Sequence, residues 1–147
     1  MAGFQAAGAA PIYHRRRIEK PETIATAICI GNPASWAGAD DAIAGSHGAI
    51  DIVTDAEILE AQSWLARREG IFAEPGSVAS VAGLMRCLDA QREPCATCPL
   101  RTLPEHANIV CTLTGHGLKD PESAQSHAPK IAVIAPTKEA VLREISS

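Results

Sequence analysis

The sequence predicts an α/β fold of three layers, in which a mostly parallel sheet lies between flanking helices. Predicted strands alternate with predicted helices along the 147 residues, which is the pattern of such folds. The composition is 46% apolar but only 3% aromatic, so the core must be built from small aliphatic side chains. Side chains of this size suit helices packed closely on a parallel sheet better than they suit a β-sandwich. We therefore expect residues 1–147 to form a single domain of this class.

The charge balance argues against several classes of partner. Acidic residues outnumber Lys and Arg by 17 to 13, giving a net charge of −4, so we expect no nucleic acid or anionic membrane as a partner. No apolar run is long enough to cross a bilayer. The apolar start, residues 1–12, has no basic residue before it and no cleavage context, so it is interpreted as structure rather than as a signal peptide. A cytoplasmic location follows as an expectation.

The first third of the chain contains weak signals for secondary structure. Residues 1–13 are rich in Gly and Ala and predict a strand edge and a loop. Thr23 can cap a short helix over residues 24–30, which the Gly-Asn-Pro run at 31–33 would end. Residues 34–49 are small and polar and fit a loop or a weak helix. The basic cluster at 14–17 could hold a phosphate or an acidic partner, but a solvated turn is the favoured interpretation.

The middle of the chain gives clearer signals. Residues 50–53 predict a short strand, and Thr54 with Glu57 forms a capping box that opens a helix ended by Gly70. After a brief extended segment, a second helix is predicted to follow Glu74 and to fade at residues 89–92. The inward faces of the two helices are predicted from helical spacing. The predicted inward residues are Ile58, Ala61, Leu65 and Ala66 on the first helix, and Val81, Leu84, Met85 and Leu88 on the second.

The last third contains two predicted strands and a terminal helix. A cysteine-bearing insertion is expected at residues 93–107, followed by a buried strand at 108–113 and another strand at 131–134. Thr137 is a candidate cap for the terminal helix. The apolar side of that helix is predicted to consist of Val141, Leu142 and Ile145.

The candidate functional segment is the run VCTLTGHGLKDP at residues 110–121. It predicts a strand that ends at the Thr114 hydroxyl, with Gly115 and Gly117 just beyond. In α/β proteins, ligands bind beyond the carboxyl ends of strands, and glycines there allow a flat ring to approach the backbone. Thr114 would present an uncharged donor or acceptor to such a ring. From spacing alone, a simple turn after a strand remains the favoured alternative.

Seven segments in order make a resemblance to a known family specific. They are GFQAAGAAP at residues 3–11, PETIATAI at 21–28, IGNPASW at 30–36, VTDAEIL at 53–59, REGIFAEP at 68–75, SVAGL at 80–84 and LTGHGLKDP at 113–121. In this order they resemble the threonine synthases, which belong to the tryptophan-synthase-β-like (fold type II) class of pyridoxal-phosphate enzymes. The tail at residues 122–147 fits this pattern more loosely.

The resemblance implies a function for the candidate segment. Threonine synthases convert O-phosphohomoserine and water into threonine and phosphate, with pyridoxal phosphate as the cofactor. By resemblance, Thr114 would hydrogen-bond the pyridine nitrogen of the cofactor, and Gly115 would lie beside the ring. A neutral partner leaves that nitrogen largely unprotonated and makes the ring a weaker electron sink. Glu74, Ser77 and Ser80 are supporting cofactor-binding positions, and no catalytic residue is assigned.

The family's other cofactor contacts have no counterpart in this sequence. The Schiff-base lysine and the Gly/Asn-rich phosphate loop belong to the family's N-terminal half, and none of the four lysines has that lysine's sequence context. These lysines are Lys20, Lys119, Lys130 and Lys138. We therefore expect an incomplete domain that resembles the C-terminal half, with the missing half or another subunit as partner and no activity in isolation. The alternative is a non-enzymatic remnant or interaction module.

Two departures from the family pattern and the cysteines complete the sequence-based expectations. Cys29 stands where the family usually has arginine, and Val78 replaces an alanine and is expected to crowd the cofactor. Four cysteines could supply a zinc site near His106, but free thiols are the favoured interpretation and no metal ligand is assigned. The four cysteines are Cys87, Cys95, Cys98 and Cys111.

Overall fold

The structure is a computed structural model that describes residues 1–89, 100, 103–104, 106–122, 125 and 133–146. In these residues the secondary structure is a two-stranded sheet with helices around it. The strands are β1 (Ala2–Ala6) and β2 (Ala49–Val53). The α-helices are α1 (Pro11–His14), α2 (Trp36–Gly45), α3 (Asp55–Glu69), α4 (Pro75–Leu88) and α5 (Lys138–Ile145). Short 3-10 turns span Ala7–Ala9, Thr26–Ile28 and Gly117–Lys119.

The sheet is parallel, as the sequence predicts. β1 and β2 pair in register from Ala2 opposite Ala49 to Ala6 opposite Val53. A parallel pair needs a crossover connection, and residues 7–48 provide it. α4 contacts both strands, and α1 contacts β2. The prediction of an α/β fold with flanking helices on a parallel sheet is therefore confirmed.

The two central helices begin and end where local chemistry predicts. At the start of α3 the Thr54 hydroxyl accepts a hydrogen bond from the Glu57 backbone N–H (3.2 Å), and the Glu57 carboxylate accepts one from the Thr54 N–H (2.7 Å). Gly70 ends the helix with φ of 67°, a left-handed conformation that favours glycine. α4 begins with Pro75 in its first turn, where the missing N–H costs nothing. α3 and α4 then pack against each other.

The core is built from small side chains, as the low aromatic content requires. Its buried residues are Ala6, Ala25, Val53, Ile58, Ala61, Leu65, Ala73, Val78, Ala79, Val81 and Ala82. Phe4 on β1 packs against this cluster, and its ring lies directly over Gly83 of α4. A Cβ at Gly83 would come within 2.3 Å of the ring, so this helix can approach β1 only because it has no side chain there.

The predicted helix over residues 24–30 is wrong. The Thr23 hydroxyl does accept a local hydrogen bond from the Ala25 N–H (3.2 Å), but it also donates to the carboxylate of Asp55 at the start of α3, and the Ile24 N–H donates to the same carboxylate (3.1 Å). Only a single 3-10 turn forms. For residues 34–49, where the sequence allowed a loop or a weak helix, the helix forms as α2 and none of its residues is buried.

The predicted buried strand at residues 108–113 is wrong. The segment carries no strand pairing among the described residues, and Val110 is 88% exposed. The chain is nevertheless extended enough for alternate side chains to face the protein, since Cys111 and Leu113 pack against the core while Thr112 is exposed. The period of two indicated the conformation, but a strand also requires a neighbouring chain to accept its backbone hydrogen bonds.

Several residues predicted to face inward are exposed. Ala66 is exposed on α3, and Leu88 at the end of α4 is 62% exposed. Thr137 caps α5 as predicted, by accepting a hydrogen bond from the Ala140 N–H (3.3 Å). The apolar side of α5 is nevertheless uncovered at Val141, Leu142 and Ile145.

Some predictions fall largely on residues that the structure does not describe. Within the expected strand at 131–134, only Val133 and Ile134 are described, and neither belongs to a strand. Within the expected insertion at 93–107, the described residues are 100, 103–104 and 106–107. In the described part of the chain, no helix combines the length and the apolar character needed to cross a membrane.

The contact between Gly83 and Phe4 predicts the effect of a single methyl group. Gly83→Ala should lower the free energy of unfolding by about 1–3 kcal/mol, because the new Cβ overlaps the ring. Urea unfolding measures this change. The matched control is Gly38→Ala in α2, where a Cβ meets nothing within 4 Å and helix propensity should give a gain of up to about 1 kcal/mol. A neutral Gly83→Ala variant would contradict the close packing of α4 on β1.

The partly buried thiol of Cys111 predicts a dependence of stability on pH. Burial raises the pKa of the Cys111 thiol above 9.0, and the neighbouring Ser80 hydroxyl offsets part of this rise. In the unfolded chain the thiol therefore loses its proton first, so the folded state loses stability as the pH rises above about 9. Urea unfolding between pH 7 and pH 10 should show a loss in the native protein that is smaller in Cys111→Ala. Parallel pH profiles for the two proteins would refute this effect.

Candidate functional site

The candidate site forms where the segment at residues 113–117 runs antiparallel to the segment that precedes α4. The Glu74 N–H donates to the Gly115 carbonyl (3.0 Å), and the Gly117 N–H donates to the Phe72 carbonyl (3.0 Å). Ala73 and His116 form an isolated antiparallel bridge between these bonds. The pairing places Thr114 and Gly115 against the first turn of α4. The site therefore depends on a contact between two segments that are about 40 residues apart in sequence.

The side chain of Ser77 joins these two segments. Its hydroxyl accepts a hydrogen bond from the Gly115 N–H (2.6 Å) and lies 3.1 Å from the Thr114 hydroxyl and 3.5 Å from the Glu74 carboxylate. Ser77 itself is only 3% exposed. Because Ser77 lies in the first turn of α4, the helix fixes its position, and the hydroxyl in turn fixes Thr114.

Glu74 carries a buried charge directly behind Gly115. Its side chain is 7% exposed, and its Oε1 lies 3.7 Å from the Nζ of Lys119, which follows in the same candidate segment. A Cβ at Gly115 would lie 2.1 Å from that Oε1, so any larger residue at this position must displace the Glu74 carboxylate. The structure thus gives a reason for glycine at this position, the close packing on a carboxylate.

An open cleft of about 260 Å³ lies in front of these residues. Its lining residues are Ile71, Phe72, Ala73, Leu113, Thr114, Gly115 and His116. The Thr114 side chain is exposed here, and the rings of Phe72 and His116 meet edge to face with centroids 5.6 Å apart. Complete small-molecule pockets usually measure about 300–1,000 Å³. The cleft is thus large enough for part of a flat ligand.

The structure brings four of the five predicted site residues together. Ser77 contacts Thr114, Gly115 and Glu74. Of these four residues, Thr114 and Gly115 line the cleft, and only Thr114 is exposed. Ser80 is separate from them. It lines a second cavity of about 200 Å³ with Cys111, and its hydroxyl oxygen is buried without a well-formed hydrogen bond in the described structure.

Sequence reasoning missed two contacts of the site. Lys119 was not linked to Glu74, although it follows Thr114 by only five residues in the candidate segment. His116 was expected in the turn next to the cofactor, but its contact with Phe72 was not expected. Their ring contact follows from the antiparallel pairing of two distant segments, which no local pattern indicates.

Val78, which was expected to crowd the cofactor, does not line the cleft. Val78 is fully buried in the core, so the extra volume relative to alanine faces the hydrophobic cluster and not the cleft. Cys29, which stands where the family usually has arginine, donates to the Pro21 carbonyl (3.4 Å) and does not line the cleft.

The cysteines form no metal site within the described residues. Cys29 and Cys111 are free thiols, whereas Cys87 is disulfide-bonded, so the expectation of free thiols is wrong for Cys87. Cys95 and Cys98 lie outside the described residues. Across the part of the chain that is described, no three His, Cys, Asp or Glu residues are grouped closely enough to hold a metal ion.

Comparison with known proteins assigns the family. Residues 1–115 match the family of pyridoxal-phosphate dependent enzymes, which implies pyridoxal phosphate as the cofactor. The chain is 50% identical over 139 residues to a threonine synthase of Halalkalibacterium halodurans, covering 95% of this chain and 36% of that protein. It is 52% identical over 124 residues to a threonine synthase of Synechocystis, covering 84% of this chain and 29% of that protein. It is 42% identical over 145 residues to one of Mycobacterium leprae, covering 99% of this chain and 38% of that protein. The chain thus spans about a third of the length of these relatives. It belongs to the family of pyridoxal-phosphate dependent enzymes.

Proposed function

We propose that this chain supplies the contact to the cofactor's pyridine nitrogen in a threonine synthase, which converts O-phosphohomoserine and water into threonine and phosphate. The similarity to threonine synthases at 42–52% identity supports the reaction. One structural observation carries the assignment of the contact. The Thr114 hydroxyl is held from behind by buried Ser77 and is exposed at an open cleft.

The chemistry of the site fits a ring nitrogen that stays unprotonated. When bound, the cofactor supplies an electron sink for a carbanion on the substrate. The Thr114 hydroxyl is neutral, so it can donate a hydrogen bond to the nitrogen without transferring a charge to it. The negative charge of Glu74 is buried behind Gly115 and lies beside Lys119. The site therefore keeps a carboxylate away from the position of the nitrogen.

None of the described lysines lines the cleft. Lys119 lies beside Glu74, and Lys20 and Lys138 are exposed and absent from the residues that line the cleft. Lys130 lies outside the described residues. We propose that the Schiff-base lysine and the phosphate loop come from the missing N-terminal half or from another subunit. On this proposal the isolated chain releases no phosphate from O-phosphohomoserine.

A chimeric enzyme tests the proposed function. In the chimera, this chain replaces the matching third of the Halalkalibacterium halodurans threonine synthase, and phosphate release from O-phosphohomoserine is measured. Thr114→Val, which keeps the shape but removes the hydroxyl, should lower kcat about tenfold, the value of a lost hydrogen bond. Thr114→Ser keeps the hydroxyl and should retain most of the activity.

The matched control is Thr112→Val. Thr112 is also exposed, lies two residues earlier in the same segment and does not line the cleft, so this variant should leave kcat unchanged. Equal activity of Thr114→Val and the unmodified chimera would refute the proposed contact. A correctly folded chimera without any phosphate release would favour the alternative, a non-enzymatic interaction module.

A further inference from the structure

We infer that Ser77 is a positioning residue that directs the Thr114 hydroxyl proton into the cleft. The inference concerns the hydrogen bonds of this chain, and it rests on the proposed function only for the identity of the group that the proton meets. Ser77 is 3% exposed and does not line the cleft, so it acts through Thr114 and Gly115 and touches no ligand itself.

The count of protons around Ser77 limits the possible arrangements. A serine hydroxyl has one proton to donate and two lone pairs to accept with. The Gly115 N–H, at 2.6 Å, uses one lone pair. The single proton of Ser77 can then point to the Thr114 oxygen at 3.1 Å or to the Glu74 oxygen at 3.5 Å. The direction of the Ser77 proton therefore decides whether the Thr114 hydroxyl offers the cleft a hydrogen-bond donor or an acceptor.

If Ser77 donates to Thr114, the Thr114 oxygen is an acceptor on its buried side and its own proton points outward. The cleft then offers a donor, which binds an unprotonated ring nitrogen. If Ser77 donates to Glu74 instead, the 3.1 Å contact is a hydrogen bond only when Thr114 donates to Ser77, and the Thr114 hydroxyl then offers the cleft only an acceptor. That arrangement would select a protonated nitrogen.

Distance and charge both favour the first arrangement. The Ser77–Thr114 separation of 3.1 Å is slightly longer than the usual upper value of about 3.0 Å for hydroxyl pairs, but it is 0.4 Å shorter than the 3.5 Å to Glu74, which is at the outer limit of a hydrogen bond. The same Glu74 oxygen lies 3.7 Å from the Lys119 ammonium, which partly neutralises its charge and so weakens its attraction for the Ser77 proton. Ser77 thereby makes Thr114 a donor.

The first experiment uses the unliganded 147-residue chain and needs no cofactor. NMR scalar couplings report the χ1 rotamer of Thr114, and the proton shift of the Gly115 amide reports its short hydrogen bond. Ser77→Ala should average the Thr114 rotamers and move the Gly115 amide proton upfield. Ser77→Cys keeps the size of the side chain and should show the same trend, because a thiol is a weak donor and acceptor.

The matched control is Thr112→Val in the same segment as Thr114. The Thr112 side chain is exposed and does not line the cleft, so both signals should stay as in the native chain. Unchanged Thr114 couplings in Ser77→Ala and Ser77→Cys would overturn the inference, whatever ligand the cleft binds.

The second experiment compares two probes by the shift of the Gly115 amide. Pyridoxine 5′-phosphate has the ring nitrogen but no aldehyde to react with lysines, and its deaza analogue has C–H in place of the nitrogen. At a pH where the ring nitrogen is unprotonated, the native chain should bind the first probe roughly two- to tenfold more tightly, the value of one neutral hydrogen bond. Ser77→Ala should abolish this preference.

The outcomes separate the inference from the proposed function. A preference that survives in Ser77→Ala overturns the role of Ser77 and leaves the contact of Thr114 with the ring intact. No preference, or no binding, in the native chain counts against the proposed function, and the couplings of the unliganded chain then decide the role of Ser77. A preference for the protonated nitrogen would show that the Ser77 proton points to Glu74.

Discussion

The hydrogen bond from the Gly115 N–H to the buried Ser77 hydroxyl is the interaction on which the candidate site depends. It joins residues 38 positions apart and attaches the extended segment to the first turn of α4. The backbone bond from Glu74 to Gly115 acts in the same direction, so the two segments are held by both side chain and main chain. Without this attachment Thr114 would belong to an exposed loop, and its hydroxyl would have no fixed orientation.

The same attachment separates a charge from the cleft. Glu74 stands at the N-cap of α4, where the partial positive charge of the helix end favours a carboxylate, and Lys119 adds a cation on the other side. Gly115 lies between this carboxylate and the cleft, and a Cβ on it would overlap the carboxylate. A negative charge and a neutral hydroxyl are thus close neighbours, but only the hydroxyl is exposed at the cleft. This arrangement gives a physical reason for both the glycine and the threonine.

Local chemistry made the central elements predictable from the sequence. The capping box at Thr54 and the left-handed Gly70 fix the two ends of α3 through contacts within a few residues, and the strand at 49–53 has β-branched residues in a short run. The resemblance to the family indicated Thr114 and Gly115 together with Glu74 and Ser77. It did not indicate that Ser77 lies behind Thr114, because that depends on side-chain packing between distant segments.

The failed predictions have a common physical cause. Residues 108–113 have the alternation of a strand, but pairing depends on a neighbouring chain, which the described structure does not provide. Thr23 accepts the local hydrogen bond expected of a helix cap, from the Ala25 N–H, but the carboxylate of Asp55, 32 residues away, accepts hydrogen bonds from both the Thr23 hydroxyl and the Ile24 N–H. In both cases a contact far along the chain, or its absence, outweighs the local preference. Helical spacing alone also could not show that Leu88 and the apolar side of α5 are left uncovered.

The long connection between β1 and β2 bears on how the domain folds. The two strands can pair only after residues 7–48 have been closed into a loop. The conformational entropy of that closure is therefore lost before the hydrogen bonds between the strands can stabilise it. α3 and α4, in contrast, are joined by a connection of only a few residues. We therefore expect the α3–α4 hairpin to form early and β1 to join late, so the segment that places Phe4 over Gly83 completes the core in the final step of folding.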